Sequence, residues 1–99
     1  MSLHLLWADP SRDAIFESCR QALATGDALV FCGHAVRALE PGAPAAAARL
    51  AMRASGIGLY ALTSDCRELG IPIPAHVRAT TPAGLVALAC AHERSLSWF

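Results

Sequence analysis

The run ALVFC at residues 28–32 decides the fold class of this 99-residue chain. All of its residues are apolar, so a strand formed here must be buried on both faces. Strands of this kind occur in parallel sheets that are covered by helices. The run IGLYAL at residues 57–62 has a similar length and character. Together the two runs predict a parallel sheet with helices packed against it.

Further strand candidates lie outward from these two runs. LHLLW at 3–7 predicts a first strand, which is followed by the turn ADPSRD with Pro10 and Ser11. HVRAT at 76–80 is a weaker candidate, and SLSWF at 95–99 is a candidate for a short last strand. The sheet is therefore expected to contain four to five strands.

Helical patterns separate the strand candidates. From Asp13 onwards apolar residues recur at the spacing of one helical face, and this helix is expected to end at TGD with Gly26 as its C′ residue. Three more helices are expected: the alanine-rich run 45–55, the short run 63–69 capped by Ser64, and the apolar run 83–93 with Pro82 at its first position. GHAVRAL at 33–39 should form one helical turn at most. The alternation predicts a single three-layer α/β/α domain over residues 1–99, with a mainly parallel sheet.

The composition indicates a protein partner rather than a nucleic acid. Hydrophobic residues make up 55% of the chain and charged residues 16%, where about 25% charged is usual. We therefore expect some apolar surface to face another protein chain. Eight arginines balance eight acidic residues, so no basic patch for nucleic acid is predicted. No apolar stretch approaches the roughly 20 residues that span a bilayer, and no secretion signal is visible, which favours a cytoplasmic location.

The four cysteines, at positions 19, 32, 66 and 90, are widely spaced and include no C-x-x-C pair. In a chain able to form an ordinary core, this predicts reduced thiols rather than a disulfide framework. Cys19 lies on the apolar helical face, and we interpret it first as a packing residue, with a nucleophile or sulfur carrier as the alternative. Cys32 and Cys90 are expected to be core residues as well.

Cys66 is the thiol with the strongest case for chemistry. It falls in the first turn after the third strand, where helix dipoles favour a thiolate and where parallel sheets bind their ligands. Asp65 and Glu68 oppose a thiolate, so a solvated structural residue is the alternative. We take Cys66 as the first candidate catalytic residue and Cys19 as the second.

No cofactor site and no metal site are predicted. Cys32 and His34 form a C-x-H pair, which could supply two zinc ligands, but no nearby pair completes the set. Phosphate-binding glycine loops and the G-x-S-x-G motif are absent from the sequence. The sequence therefore favours a non-catalytic, partner-binding domain with one thiol of interest.

Three segments resemble the TusB/DsrH proteins, the small subunits of the TusBCD and DsrEFH sulfur-relay complexes. The opening LHLLWADPSRDAIFESCRQALATGDALVF shares an L-H-x-L strand, an L-E-S-C-like helix and a G-D-A-L-L strand start. GLYALTSDCRELGI is similar to V-Y-A-L-x-x-D-L-x-x-R-G, and SLSWF is similar to x-x-S/A-W-L/F. The chain departs from the family at GHAV (33–36), where E-D-G-V is usual, in the segment 40–54, and at Cys66, which replaces a leucine.

The resemblance implies a fold, partners and a chemistry. The fold would be a DsrE/F/H-like parallel α/β domain. The partners would be TusC/DsrF-like and TusD/DsrE-like subunits in a heterohexamer, with a TusE/DsrC-like sulfur acceptor. In such complexes a persulfide passes between cysteines, and the carrier cysteine lies in the turn after the third strand of the TusD/DsrE-type subunit. The corresponding turn here holds Leu62 and Thr63, so the carrier role is not carried over, and the role implied for Cys19 is at most auxiliary.

These observations leave three functional hypotheses open. The first is an auxiliary, non-catalytic subunit of a cytoplasmic sulfur-relay complex, which serves 2-thiouridine formation at the tRNA wobble position or intracellular sulfur oxidation. The second is a sulfurtransferase in its own right that carries persulfide on Cys66 or Cys19. The third is a homo-oligomeric interaction protein that kept the fold and lost the relay.

Overall fold

The computed structural model describes residues 1–99 and contains one five-stranded sheet. Its strands are β1 (Ser2–Leu6), β2 (Ala28–Phe31), β3 (Gly58–Leu62), β4 (Arg78–Thr80) and β5 (Arg94–Trp98). Its α-helices are α1 (Asp13–Ala22), α2 (Ala46–Ala54), α3 (Thr63–Leu69) and α4 (Pro82–Ala91), and a 3₁₀ helix spans Gly33–Leu39. All five expected strands and all four expected α-helices are therefore present.

The strand order is β4-β3-β2-β1-β5, and every neighbouring pair is parallel. The chain steps in one direction from β1 to β4 and then returns to place β5 beside β1. Because crossovers between parallel strands are right-handed, the steps through α1, α2 and α3 put these helices on one face, and the return puts α4 on the other. The three-layer α/β/α prediction is thus confirmed, with an all-parallel sheet.

The continuous apolar character of β2 follows from its central position in this sheet. Leu29 and Phe31 point into the core beneath α1, α2 and α3, whereas Ala28 and Val30 point into a second cluster on the side of α4. All four residues of the strand are buried. Since both faces of β2 are covered, no position in it favours a polar side chain.

The two faces of the sheet are covered unequally. The face that carries α1, α2, α3 and the 3₁₀ helix, here called the three-helix face, holds a core of 16 buried residues. The opposite face, here called the one-helix face, is covered by α4 alone and holds a cluster of 5 buried residues. No residue of α4 itself is buried. The one-helix face therefore lacks most of its covering layer within this chain.

Three local predictions differ from the structure. The segment 33–39 forms a 3₁₀ helix of 7 residues instead of one turn, and four of its residues are buried. The first helix ends at Ala22, because Leu23 is extended, and Gly26 lies in the following turn with φ +93°. Ser64 does not cap α3, since it is the second residue of the helix, and the N-cap residue, Leu62, makes no side-chain hydrogen bond.

The start of α4 follows the sequence expectation closely. Pro82 occupies the first helical position, and the Thr81 hydroxyl oxygen accepts the backbone N–H of Gly84 at 3.1 Å. A proline at this position loses no hydrogen bond, and a threonine N-cap satisfies a free donor. The helix has 10 residues, and none of the helices is long and apolar enough to cross a membrane.

Candidate functional site

The carboxyl edge of the sheet brings together the segments that follow β2 and β3. The Asp65 carboxylate accepts the backbone N–H of Gly33 at 2.7 Å, which joins the start of the 3₁₀ helix to α3. Gly33 has φ +53°, a conformation that glycine adopts without strain. A small pocket of about 70 Å³ lies beside this contact and is lined by Gly33, His34, Asp65, Glu68 and Leu69. This edge is where a parallel α/β sheet is expected to bind a ligand.

Cys66 lies at this edge but faces inward. It is only 3% exposed and belongs to the core of the three-helix face, so the expectation of a solvated residue is wrong. Burial raises the pKa of the Cys66 thiol above its usual value, and the nearby charge of Asp65 raises it further. The first turn of α3 therefore does not present a ready thiolate to solvent.

Cys19 occupies the packing position that its helical spacing predicts. It is the one buried residue of α1, is 1% exposed, and contributes to the core of the three-helix face. Burial raises the pKa of the Cys19 thiol to about 12. A thiol in this environment remains protonated at neutral pH, and the catalytic roles assigned to Cys19 and Cys66 remain predictions.

The other two cysteines differ sharply from each other. Cys32 is fully buried at the end of β2, and its pKa is raised to about 12, mainly by burial and secondarily by the charge of Asp65. Cys90 is exposed, which corrects the prediction that α4 buries it. The reason is that α4 lies on the one-helix face with no further layer outside it. Cys90 is consequently the only thiol of the chain that solvent reaches readily.

The C-x-H pair does not come together as a pair of ligands. Cys32 is buried at the end of β2, whereas the His34 side chain is 68% exposed and its Nδ1 lies 3.7 Å from Asp9. No group of three or more histidine, cysteine, aspartate or glutamate side chains is arranged to hold a metal ion.

The crevice between β3 and β4 is the topological switch point of the sheet. The chain leaves β3 for α3 on the three-helix face and leaves β4 for α4 on the one-helix face, so the two carboxyl ends diverge. Switch points of this kind are preferred ligand sites. Here the Thr63 hydroxyl donates to the Thr80 carbonyl at 3.1 Å, which bridges the crevice. This turn corresponds to the carrier turn that the family resemblance implies, and it holds Leu62 and Thr63.

A groove of about 860 Å³ lies between α1 and the segment that joins the 3₁₀ helix to α2. Arg37 spans its rim, with Nη1 3.2 Å from Asp9 and Nε 3.8 Å from Glu40. Phe16 and several alanines line its floor. None of the four cysteines lines this groove, so it is separate from the thiols of the carboxyl edge.

The one-helix face presents apolar side chains that nothing in the chain covers completely. Leu5 and Tyr60 of the sheet, and Trp7 just after β1, are only partly buried there. Val86 on α4 is 64% exposed and Phe99 is 70% exposed. The rings of Trp7 and Phe99 stack at a centroid distance of 6.3 Å. Helices that are apolar around their whole circumference, as α4 is, are normally buried, so this face has the character of a protein interface.

Fold and site together define a small parallel α/β domain whose edge thiols are buried and whose second sheet face is open. The family model described as DsrH like protein matches residues 9–95. The chain belongs to this DsrH-like family, which confirms the TusB/DsrH resemblance of its sequence. The family indicates a subunit related to sulfur relay, with partners of the sulfur-relay kind.

Two solved structures show the same fold. The ychN protein from E. coli has a TM-score of 0.74 and 15% sequence identity, covering 98% of this chain and 97% of that chain. A protein of unknown function, MTH1491 from Methanobacterium thermoautotrophicum, has a TM-score of 0.70 and 13% identity, covering 97% of this chain and 96% of that chain. No curated protein matches the sequence. At these identities the likeness concerns the fold alone.

Proposed function

We propose that this chain is an auxiliary, non-catalytic subunit of a cytoplasmic sulfur-relay complex. The observation that carries the proposal is the burial of Cys19, Cys32 and Cys66, each with a raised thiol pKa. A relay subunit that carries sulfur needs a thiolate that a donor can reach. None of these three thiols meets that requirement while the domain is folded, and the exposed Cys90 lies near the end of α4, away from the carboxyl edge of the sheet.

The transfer reaction itself explains why accessibility decides the role. An acceptor thiolate attacks the outer sulfur of a donor persulfide and forms a new S–S bond. The S–S bond of the donor breaks, and the donor cysteine leaves as a thiolate. The outer sulfur moves without any external oxidant or reductant, so the protein must supply only two accessible cysteines. In our proposal both belong to other chains of the relay.

The contribution of this chain would be assembly. Its one-helix face would bind TusC/DsrF-like and TusD/DsrE-like subunits in a heterohexamer that passes sulfur to a TusE/DsrC-like acceptor. The apolar circumference of α4 and the exposed Phe99 support this role, because aromatic and apolar residues are enriched in the centres of interfaces. The complex would serve 2-thiouridine formation at the tRNA wobble position or, in a sulfur oxidiser, intracellular sulfur oxidation.

Co-expression with DsrE-type and DsrF-type subunits tests this role, with exposed Cys90 as a built-in probe. We expect a stable complex in which Cys90 reacts with a thiol reagent at least ten times more slowly than in the isolated chain. Separate chains, or a complex in which Cys90 remains equally reactive, would count against assembly through α4. Assembly of the chain with itself alone would favour the homo-oligomeric hypothesis instead.

A sulfurtransferase that uses Cys66 is the second candidate, and the position of Cys66 at the carboxyl edge favours it. Asp65 and Gly33 line the small pocket at this edge, and Asp65 directly precedes Cys66 in the sequence. For Cys66 to act, α3 would have to move away from the core and expose the thiol. A persulfide adduct on Cys66 in the folded protein would establish this candidate.

A further inference from the structure

A largely buried chain of hydrogen bonds connects the last strand to the first strand and to the residue that precedes the second. The Trp98 indole Nε1–H donates to His4 Nδ1 at 3.2 Å, and His4 Nε2 lies 3.1 Å from Asp27 Oδ2. His4 is 2% exposed and Asp27 is 7% exposed. The three residues lie in the L-H-x-L, G-D-A-L-L and S/A-W-L/F segments of the family resemblance. Three distant segments therefore meet in one polar contact inside the core.

The tautomer of His4 follows from its two partners. An indole N–H can only donate, so Nδ1 of His4 must accept and carries no proton. The planes of the two rings are nearly parallel, at an angle of 16° and with centroids 6.2 Å apart. Nε2 must then carry the ring proton and donate it to the Asp27 carboxylate. His4 in this network is a neutral imidazole protonated at Nε2.

Asp27 keeps its charge in this arrangement. Its Oδ1 accepts the backbone N–H of Ser2 at 2.8 Å, and its Oδ2 accepts that of Ala24 at 3.0 Å. Burial alone would raise the pKa of Asp27, but these two N–H groups and His4 outweigh burial and lower it. Asp27 is therefore a fixed anion at neutral and mildly acidic pH.

The remaining titratable and charged groups around His4 are few. The titratable group on the buried face of α1 is the Cys19 thiol, which is neutral because its pKa is raised to about 12. The charged residues of α1 lie on its exposed side: Asp13, Glu17 and Arg20. From β5, Arg94 donates its Nε–H to the Ser2 hydroxyl at 3.0 Å. The adjoining residues of β2 are apolar, so Asp27 is the only charge in contact with His4.

We infer that His4 is a proton-sensitive latch that holds the C-terminal strand. Neutral His4 accepts the Trp98 N–H, whereas a proton added at Nδ1 would turn this acceptor into a donor. Two N–H groups would then face each other, and the indole would have to leave, while the bond from His4 to Asp27 would persist. Since β5 is an edge strand without a buried residue, its end can detach locally. The stack of Trp7 on Phe99 would loosen with it.

The test uses Trp7→Phe protein, in which Trp98 is the only tryptophan. The indole ¹H–¹⁵N resonance is followed by NMR from about pH 8 to about pH 5, the interval in which imidazoles commonly titrate. We expect an upfield shift of the Trp98 indole proton on acidification, with the same midpoint as the His4 ring resonances. The shift should be lost in His4→Gln and retained in His34→Gln, which removes an exposed histidine.

Two results would overturn the inference. One is a Trp98 response that is absent between these pH values or that persists unchanged in His4→Gln. The other is ¹⁵N chemical shifts of His4 at about pH 7.5 that place the ring proton on Nδ1. The second measurement uses a chain with native His4, so it decides the question even where His4→Gln does not fold.

Discussion

The Asp65 carboxylate accepts the backbone N–H of Gly33 at 2.7 Å, and its charge adds to burial in raising the pKa of the thiols on either side of it. Those thiols belong to Cys32, next to Gly33, and to Cys66, next to Asp65. One side chain thus joins two segments of the carboxyl edge and adds to the burial that keeps both cysteines protonated. This is the opposite of a site built to activate a thiol, where a cation or a helix N-terminus lowers the pKa.

Replacement of Asp65 by asparagine tests this relationship. Asp65→Asn in a Cys90→Ser background should lower the pKa of both Cys32 and Cys66, because the negative charge is removed and burial remains. The Gly33 contact would persist as a neutral hydrogen bond, so we expect a loss of about 1 kcal/mol in the free energy of unfolding. The ¹³Cβ chemical shifts of Cys32 and Cys66, followed by NMR as the pH is raised, report the pKa change without requiring that a reagent reach the buried thiols. Glu68→Gln, at the same pocket, is the control, and an equal effect from both variants would contradict the role given to Asp65.

The two faces of the sheet offer a matched pair of exposed aliphatic residues. Val86 on α4 is 64% exposed and Leu50 on α2 is 55% exposed. Val86→Glu should weaken binding to DsrE-type and DsrF-type subunits at least tenfold, because it places a charge in an apolar interface. Leu50→Glu should leave binding unchanged. Sedimentation or size-exclusion chromatography of the co-expressed proteins measures how much complex each variant forms. A stronger loss of complex with Leu50→Glu would show that the interface lies on the three-helix face.

His76 should make the folded protein sensitive to mild acid. Burial lowers the pKa of His76 below its ordinary 6.5, and Arg49 and Arg53 lower it further. The guanidinium of Arg49, itself 5% exposed, donates to the Ala38 carbonyl and donates its Nε–H to His76 Nε2 at 3.4 Å. This geometry requires a neutral His76.

The sign of the effect follows from proton binding. Between the lowered pKa of folded His76 and its ordinary value, the unfolded chain binds more protons, so the free energy of unfolding falls as the pH falls. Urea denaturation at about pH 7.5 and about pH 5.5 should show a smaller loss on acidification for His76→Gln than for the native chain. His34→Gln provides the exposed control. If acidification lowers the free energy of unfolding of His76→Gln as much as that of the native chain, His76 is not the cause of the acid sensitivity.

Replacement by serine should destabilise the protein at Cys19 but not at Cys90. Cys19→Ser places a hydroxyl in the apolar core under α1 and should cost about 1–3 kcal/mol. Cys90→Ser is at the surface and should change the free energy of unfolding by less than about 0.5 kcal/mol. Urea denaturation of both variants measures the difference. Similar values would mean that Cys19 is more accessible than its burial indicates.

The architecture could be predicted because it depends on local patterns. The apolar run of β2 required cover on both faces, and the helical spacing around Cys19 placed that residue in the core. The position of Cys90 could not be predicted in this way. An apolar helix has the same sequence whether its own chain or a partner chain covers it, so the sequence indicated burial while the isolated domain leaves α4 open.

The polar network of His4, Asp27 and Trp98 lay beyond sequence reasoning for a different reason. His4 is 23 residues from Asp27 and 94 residues from Trp98, so no periodicity or spacing connects them. A histidine in an apolar strand could signal only that its ring needs partners. The resemblance to the family marked all three segments, but their contact appears only once β5 lies beside β1.

Intact-mass spectrometry after exposure to a persulfide donor tests most directly whether this chain carries sulfur. The protein is Cys90→Ser, because exposed Cys90 would react regardless of function, with Cys66→Ser and Cys19→Ser added separately. We predict no sulfur adduct on the folded protein and full reaction of the remaining thiols after unfolding. An adduct of one sulfur atom on the folded chain that Cys66→Ser abolishes and Cys19→Ser leaves intact would make this chain a carrier. That result would contradict the non-catalytic role.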